Sequence, residues 1–177
     1  MHDLFHTGEQ FFMGHFAKRN TKFGGGNSEL RSVTEILDKK FMKMYFAGSI
    51  RGGREKAKDY QKIIEVLSGY GTVLTEHVGN SELTVMGENR LNEKHIYERD
   101  MAWLKLADVF VVDVSLPSLG VGYEIATAEK LGKKILCLYQ VQKNSSLPAM
   151  VSGNQKLTVK YYKSIKDVEL ILKEFFA

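Results

Sequence analysis

Two carboxyl side chains lie in positions where a chain could do chemistry: Glu124 and Asp100. Glu124 closes the segment Pro117-Ser118-Leu119-Gly120-Val121-Gly122-Tyr123-Glu124, which follows a β-branched run and reads as a turn entering a helix, with Ser118 as its cap. A carboxylate in the first turn of a helix gains from the dipole and stays ionised, as a nucleophile must. The same placement would serve merely to stabilise a helix start, and this segment alone leaves both readings open. Asp100 falls on a helical stretch where Tyr97, Asp100 and Leu104 share a face by three- and four-residue spacing. Exposed helical aspartates are common, so its spacing alone assigns it no role.

A second cluster is Gly48-Ser49-Ile50-Arg51-Gly52-Gly53-Arg54, a Gly-rich turn between an apolar run and a helix. Such turns let the backbone approach a ligand and offer free amides to a phosphate. The spacing matches neither the dinucleotide nor the P-loop pattern, and a purely structural turn stays open. Five histidines are scattered without metal-ligand spacing, and no zinc site or other metal is expected. His77 is kept because it follows a predicted strand at the expected ligand edge. No G-x-S-x-G elbow is present for a serine triad.

These residues need a frame, and the apolar pattern supplies one. Strands are expected at Met44–Ala47, Thr72–Thr75, Asp108–Val114, Lys134–Tyr139 and Leu157–Tyr161. Helices are expected from the glycine turn to Ser68, over Glu88–Lys105, over Gly120–Leu131 and over Asp167–Phe176. Alternating strands and helices imply a three-layer, doubly wound α/β domain on a mainly parallel five-stranded sheet, Rossmann-like or flavodoxin-like. Ligands in such sheets bind beyond the carboxyl ends of the strands near the switch in strand order, which is where the turns at Gly48, Glu76 and Ser115 converge.

The chain has 177 residues, enough for one core, and its 44% hydrophobic and 26% charged content excludes a disordered or fibrous class. The aromatic and Gly-rich residues 1–41 lack a sustained period and are expected to form a poorly ordered extension, with the domain spanning 42–177. A net charge of +4 is too small and dispersed to argue for nucleic acid, though it suits a small phosphorylated ligand. The lone Cys137 sits in an apolar run and implies a reducing compartment, cytoplasmic or also nuclear. No apolar stretch is long enough for a membrane span, and the early Asp3 and Glu9 argue against a targeting peptide.

With Tyr45 to Glu55, Leu74-Thr75-Glu76-His77-Val78, Asp100 near Trp103-Leu104, and Pro117 to Glu124 in order, the chain resembles the 2'-deoxynucleoside 5'-phosphate N-hydrolases of the nucleoside 2-deoxyribosyltransferase superfamily. The resemblance covers roughly Met44 to Phe176. It implies hydrolysis of the N-glycosidic bond of 2'-deoxynucleoside 5'-monophosphates by a retaining double displacement, with Glu124 as nucleophile, Asp100 as acid to the departing base and Tyr45 positioning Glu124. It implies a phosphate site from Gly48 to Arg54 with Ser118 and Gly120, base neighbours Ile50 and His77, no cofactor, and a homodimer with a shared site. Where similar hydrolases carry Leu-Ser-Ala-Met on that shared loop, this chain reads Leu147-Pro148-Ala149-Met150, so the serine hydroxyl is missing and the amides of Ala149 and Met150, or Ser145 or Ser146, must stand in. A deoxyribosyltransferase and a non-catalytic nucleotide sensor are the alternatives.

Overall fold

The computed structural model describes residues 42–50, 56–79, 92–142 and 146–177. The expected N-terminal extension, Arg51 to Arg54, the stretch 88–91 of the second expected helix and Ser145 lie outside the described residues.

Five strands form one sheet: β1 (Lys43–Ala47), β2 (Thr72–Val73), β3 (Val109–Asp113), β4 (Lys134–Gln140) and β5 (Thr158–Tyr162). Their order is β2-β1-β3-β4-β5, and every pairing is parallel. The chain leaves β1 toward one edge and returns past it to β3, so the switch in order falls between these two strands, where Tyr45 registers with Phe110.

Both faces of the sheet are covered, which is why β1, β3 and β4 read as near-continuous apolar runs. On one face Met44, Phe46, Val109, Val111, Leu136 and Leu138 pack under α1 (Ala57–Ser68) and α5 (Ile165–Phe175). Their alternate neighbours Tyr45, Ala47, Phe110, Val112, Ile135 and Cys137 face α2 (Glu93–Leu106) and α3 (Leu119–Lys130). A short helix, α4 (Ala149–Ser152), precedes β5. The expected three-layer, doubly wound architecture is what forms, and the sheet is wholly parallel.

Two local departures have clear causes. The second strand stops at Val73 and not at Thr75, because the Thr75 hydroxyl takes over the ladder: it accepts from the Phe46 amide at 2.9 Å and donates to the Phe46 carbonyl at 2.7 Å. The chain can then turn at once into a single 3₁₀ turn, Glu76–Gly79, which carries His77. The last helix begins at Ile165 because Ser164 and Asp167 form a reciprocal capping box ahead of the expected start.

The carboxyl edge on the α1 side holds a buried polar knot. Lys56 Nζ lies 3.0 Å from Asp113 Oδ2 and also donates to the Tyr162 hydroxyl, which in turn donates to Asp113 at 2.6 Å. Ser115 donates to both Asp113 oxygens and accepts from the Gln140 amide, so every strand end from β3 to β5 is tied to the start of α1. Burial, with the Asp113 charge beside it, holds the Tyr162 hydroxyl protonated well above its usual range. Next to this knot Gly48 passes the Tyr60 ring so closely that a Cβ would stand 2.8 Å from it, while the Ser49 amide donates to the Tyr60 hydroxyl at 3.2 Å.

A buried pair stripped of one partner leaves an uncompensated charge, costing about 3–5 kcal/mol. Lys56→Met should therefore lower the urea-unfolding free energy by about that amount, and adding Asp113→Asn to it should recover a good part of the loss.

Candidate active site

Beyond the carboxyl ends of β1 and β3, on the α2 and α3 side, lies a cleft of about 720 Å³. It brings together Tyr45 from β1, His77 from the 3₁₀ turn, Asp100 from α2 and Glu124 from α3. The three residues singled out for chemistry are thus contributed by three different elements and meet in one place.

Strand parity puts Tyr45 on this face, and its ring is buried against Phe110 with centroids 5.5 Å apart. Its hydroxyl donates to Glu124 Oε1 at 2.6 Å. Burial, followed by the charges of Glu124 and Asp100, keeps the Tyr45 proton in place far above the usual phenol range, so this donor is permanent at any working pH.

Glu124 departs from expectation in one respect. Ser118 does cap α3, accepting from the Val121 amide at 3.3 Å, but that cap starts the helix at Leu119 and puts Glu124 in the second turn. The dipole of the first turn therefore does not reach it in full. Burial pushes its carboxyl up to about 7; the Tyr45 hydrogen bond pulls the value down and the Asp100 charge adds to the rise. Near neutrality Glu124 exchanges its proton easily, and once ionised it is a poorly hydrated base with one hydroxyl holding it in place.

Asp100 is half-buried and paired with its chain neighbour Arg99, whose Nη2 and Nε lie 2.8 and 2.9 Å from Oδ1. Arg99 also stacks over Trp103 and reaches His77 Nε2 at 3.4 Å. Sequence reasoning missed it, because residues i and i+1 of a helix do not ordinarily face each other. Tyr97 and Tyr123 were likewise missed as a pair; their hydroxyls meet at 3.3 Å across the mouth of the cleft.

The expected phosphate site is divided. Ser118 and Gly120 line the cleft at the start of α3, and a Cβ at Gly120 would meet only the Ser118 hydroxyl, at 3.9 Å, so packing does not demand a glycine there. Gly48 and Ile50 line it too. Ser49 does not: it is fully buried, and its amide donates to Tyr60. Ala149 and Met150 do not line the cleft of their own chain, and Met150 is 86% exposed. Among the described residues no group of three or more His, Cys, Asp or Glu is placed to hold a metal, and no helix is long and apolar enough to cross a membrane.

The family model described as Nucleoside 2-deoxyribosyltransferase matches residues 44–165. Over 140 residues the chain is 47% identical to the 5-hydroxymethyl-dUMP N-hydrolase of Esox lucius, covering 76% of this chain and 96% of that protein. It is also 47% identical over 139 residues to a putative 2'-deoxynucleoside 5'-phosphate N-hydrolase 1 of Nematostella vectensis, covering 76% and 93%. The solved 2-deoxyribosyltransferase of Bacillus psychrosaccharolyticus superposes with a TM-score of 0.54 at 20% identity, covering 72% of this chain and 90% of that one, and shares its fold.

A raised carboxyl value means that between about 4.5 and about 7 the folded chain keeps a proton that the unfolded chain has lost. Stability should consequently fall as pH rises through that window, and Glu124→Gln should abolish this component. Urea titrations of both proteins at pH 5 and pH 8 check it: the variant should gain on the wild type at pH 8.

Proposed function

Since the chain belongs to the nucleoside 2-deoxyribosyltransferase family, we propose that it is an N-glycosidase that hydrolyses 2'-deoxynucleoside 5'-monophosphates to free base and 2-deoxyribose 5-phosphate. The observation that carries the reading is the 2.6 Å bond between Tyr45 and a desolvated Glu124 in a cleft that also holds Asp100. The relatives named as deoxynucleotide N-hydrolases over nearly their full length support hydrolysis in preference to transfer.

In this reading ionised Glu124 attacks the anomeric carbon, and the Tyr45 hydroxyl holds the attacking carboxylate in line, since a nucleophile gains its advantage only when correctly aimed. Asp100 carries the proton that the departing base requires. Water then displaces Glu124 from the sugar, so two inversions give net retention. The amides at the start of α3, with Ser118 and Gly120 beside them, take the 5'-phosphate, and a 2'-hydroxyl is disfavoured because it withdraws electrons from the cationic transition state. His77 and Ile50 flank the base.

We further propose a homodimer, in which Ala149 and Met150 serve the partner's cleft with their amides where the resembled loop carries a serine. The buried thiol of Cys137, its value pushed up to about 12 by burial, suits a reducing compartment, cytosolic or nuclear.

Purified protein and Glu124→Ala are incubated with deoxynucleoside and ribonucleoside monophosphates, with and without an acceptor base, and free base is followed by chromatography. Base release from deoxynucleotides without acceptor, reduced about 10⁴-fold or more in the variant, is expected. Base appearing only as exchanged nucleotide would make it a transferase; binding without turnover would make it a sensor. In the hydrolase, kcat/KM should rise with pH as Glu124 loses its proton near about 7.

A further inference from the structure

Arg99 is built into the cleft in a manner that an ordinary surface ion pair does not require. Its side chain is 18% exposed, and to reach Asp100 it must fold against its own helix, because adjacent helical residues point in different directions. The Trp103 ring, one turn on, lies beneath it, with the guanidinium carbon 4.7 Å from the ring centroid. The His77 ring packs 5.6 Å from the same Trp103, and its Nε2 meets Arg99 Nη2. Tyr45 senses the Arg99 charge along with those of Glu124 and Asp100, so the cation stands beside the reacting groups. With Trp103 backing them, the His77 imidazole and the Arg99 guanidinium both line the cleft and offer a wall to a flat, polar ring.

Resting on the hydrolase reading, we propose that Arg99 is a further catalytic residue: its guanidinium binds a carbonyl oxygen of a departing pyrimidine and bears the negative charge the base acquires as the glycosidic bond breaks. When a Glu124 oxygen bonds to the anomeric carbon, the electron pair of the carbon–nitrogen bond leaves with the base and is shared onto the adjacent carbonyl oxygen. The guanidinium bears that charge until the Asp100 proton reaches the base nitrogen. The guanidinium stays cationic at every working pH and offers a charge-assisted hydrogen bond to an anionic oxygen. Water then adds to the anomeric carbon and frees Glu124; its hydroxyl ends on the sugar, and its proton ends on the Asp100 carboxylate, which gave its own to the base.

Single-turnover base release is measured for 2'-deoxyuridine 5'-monophosphates whose 5-substituent runs from methyl through hydrogen to fluorine and bromine, a series of improving leaving groups. Wild type, Arg99→Gln and Arg99→Lys are compared, with Tm and binding of 2-deoxyribose 5-phosphate as controls for the fold and the sugar side. Arg99→Gln should lose about 100-fold with the methyl substrate and only about 10-fold with the bromo substrate, with KM within about threefold, and Arg99→Lys should regain about 10-fold. An equal loss across the series, or a loss confined to KM, overturns the proposal. Should Arg99→Gln fail to fold, Arg99→Lys decides alone: a steeper dependence on the leaving group supports the proposal and an unchanged one overturns it. If the wild type releases no base, the hydrolase reading falls and takes this inference with it; if it does and the slopes are equal, only the role of Arg99 falls.

Discussion

Glu124 is both dry and held: burial removes its water, and the Tyr45 hydroxyl bonds it in place. Burial strips Glu124 of the water that would stabilise its charge, which by itself would leave it protonated and useless at neutrality. A permanent donor 2.6 Å away returns part of that stabilisation without returning the water. The consequence is a carboxyl that crosses between acid and base close to neutral pH. That balance sets the placement of everything around it: Tyr45 must be on the α2 and α3 face of β1, and α3 must run along the end of β3 so that its second turn meets the tyrosine.

Both faces of the sheet carry a buried tyrosine hydroxyl bonded to a carboxylate at its carboxyl edge, and their surroundings separate structure from chemistry. On the α1 side Asp113 is surrounded by Lys56, Tyr162 and Ser115, each donating to it, and the knot is closed to ligands. On the other side Glu124 has one such donor and opens into a cleft. The closed network ties β3, β4 and β5 to the start of α1. Gly48, pressed against Tyr60, and Ser49, whose amide is spent on the same side chain, are held by this scaffold.

Much of the frame was legible because parity and periodicity are local properties. The apolar runs of β1, β3 and β4 announce strands buried on both faces, and the spacing within them already assigns Tyr45 and Met44 to opposite sides. What was not legible depends on partners far along the chain or on side chains that stand in for backbone. The early end of β2 follows from the Thr75 hydroxyl bonding Phe46 across 29 positions, and the polar knot joins Lys56 to Tyr162 across 106. Glu124 was assigned to the first turn of its helix; the Ser118 cap was read correctly, but counting from it places the carboxylate one turn further on.

Arg99 shows why a site can be recognised and still be incompletely read. The matching motifs identify residues by type and order, and neither Tyr45, Asp100 nor Glu124 reveals from the chain alone that a cation lies among them. Yet the charge count of the cleft depends on it. Two carboxylates and a neutral tyrosine would repel both a phosphorylated substrate and a base leaving as an anion. With Arg99 fixed on Trp103 and against Asp100, the Asp100 charge is matched, which is the ground for the role proposed for Arg99. Burial makes Glu124 the carboxyl whose protonation state varies near neutrality, while Asp100 sits against a guanidinium, so the two acidic residues are set apart by surroundings that neither motif contains.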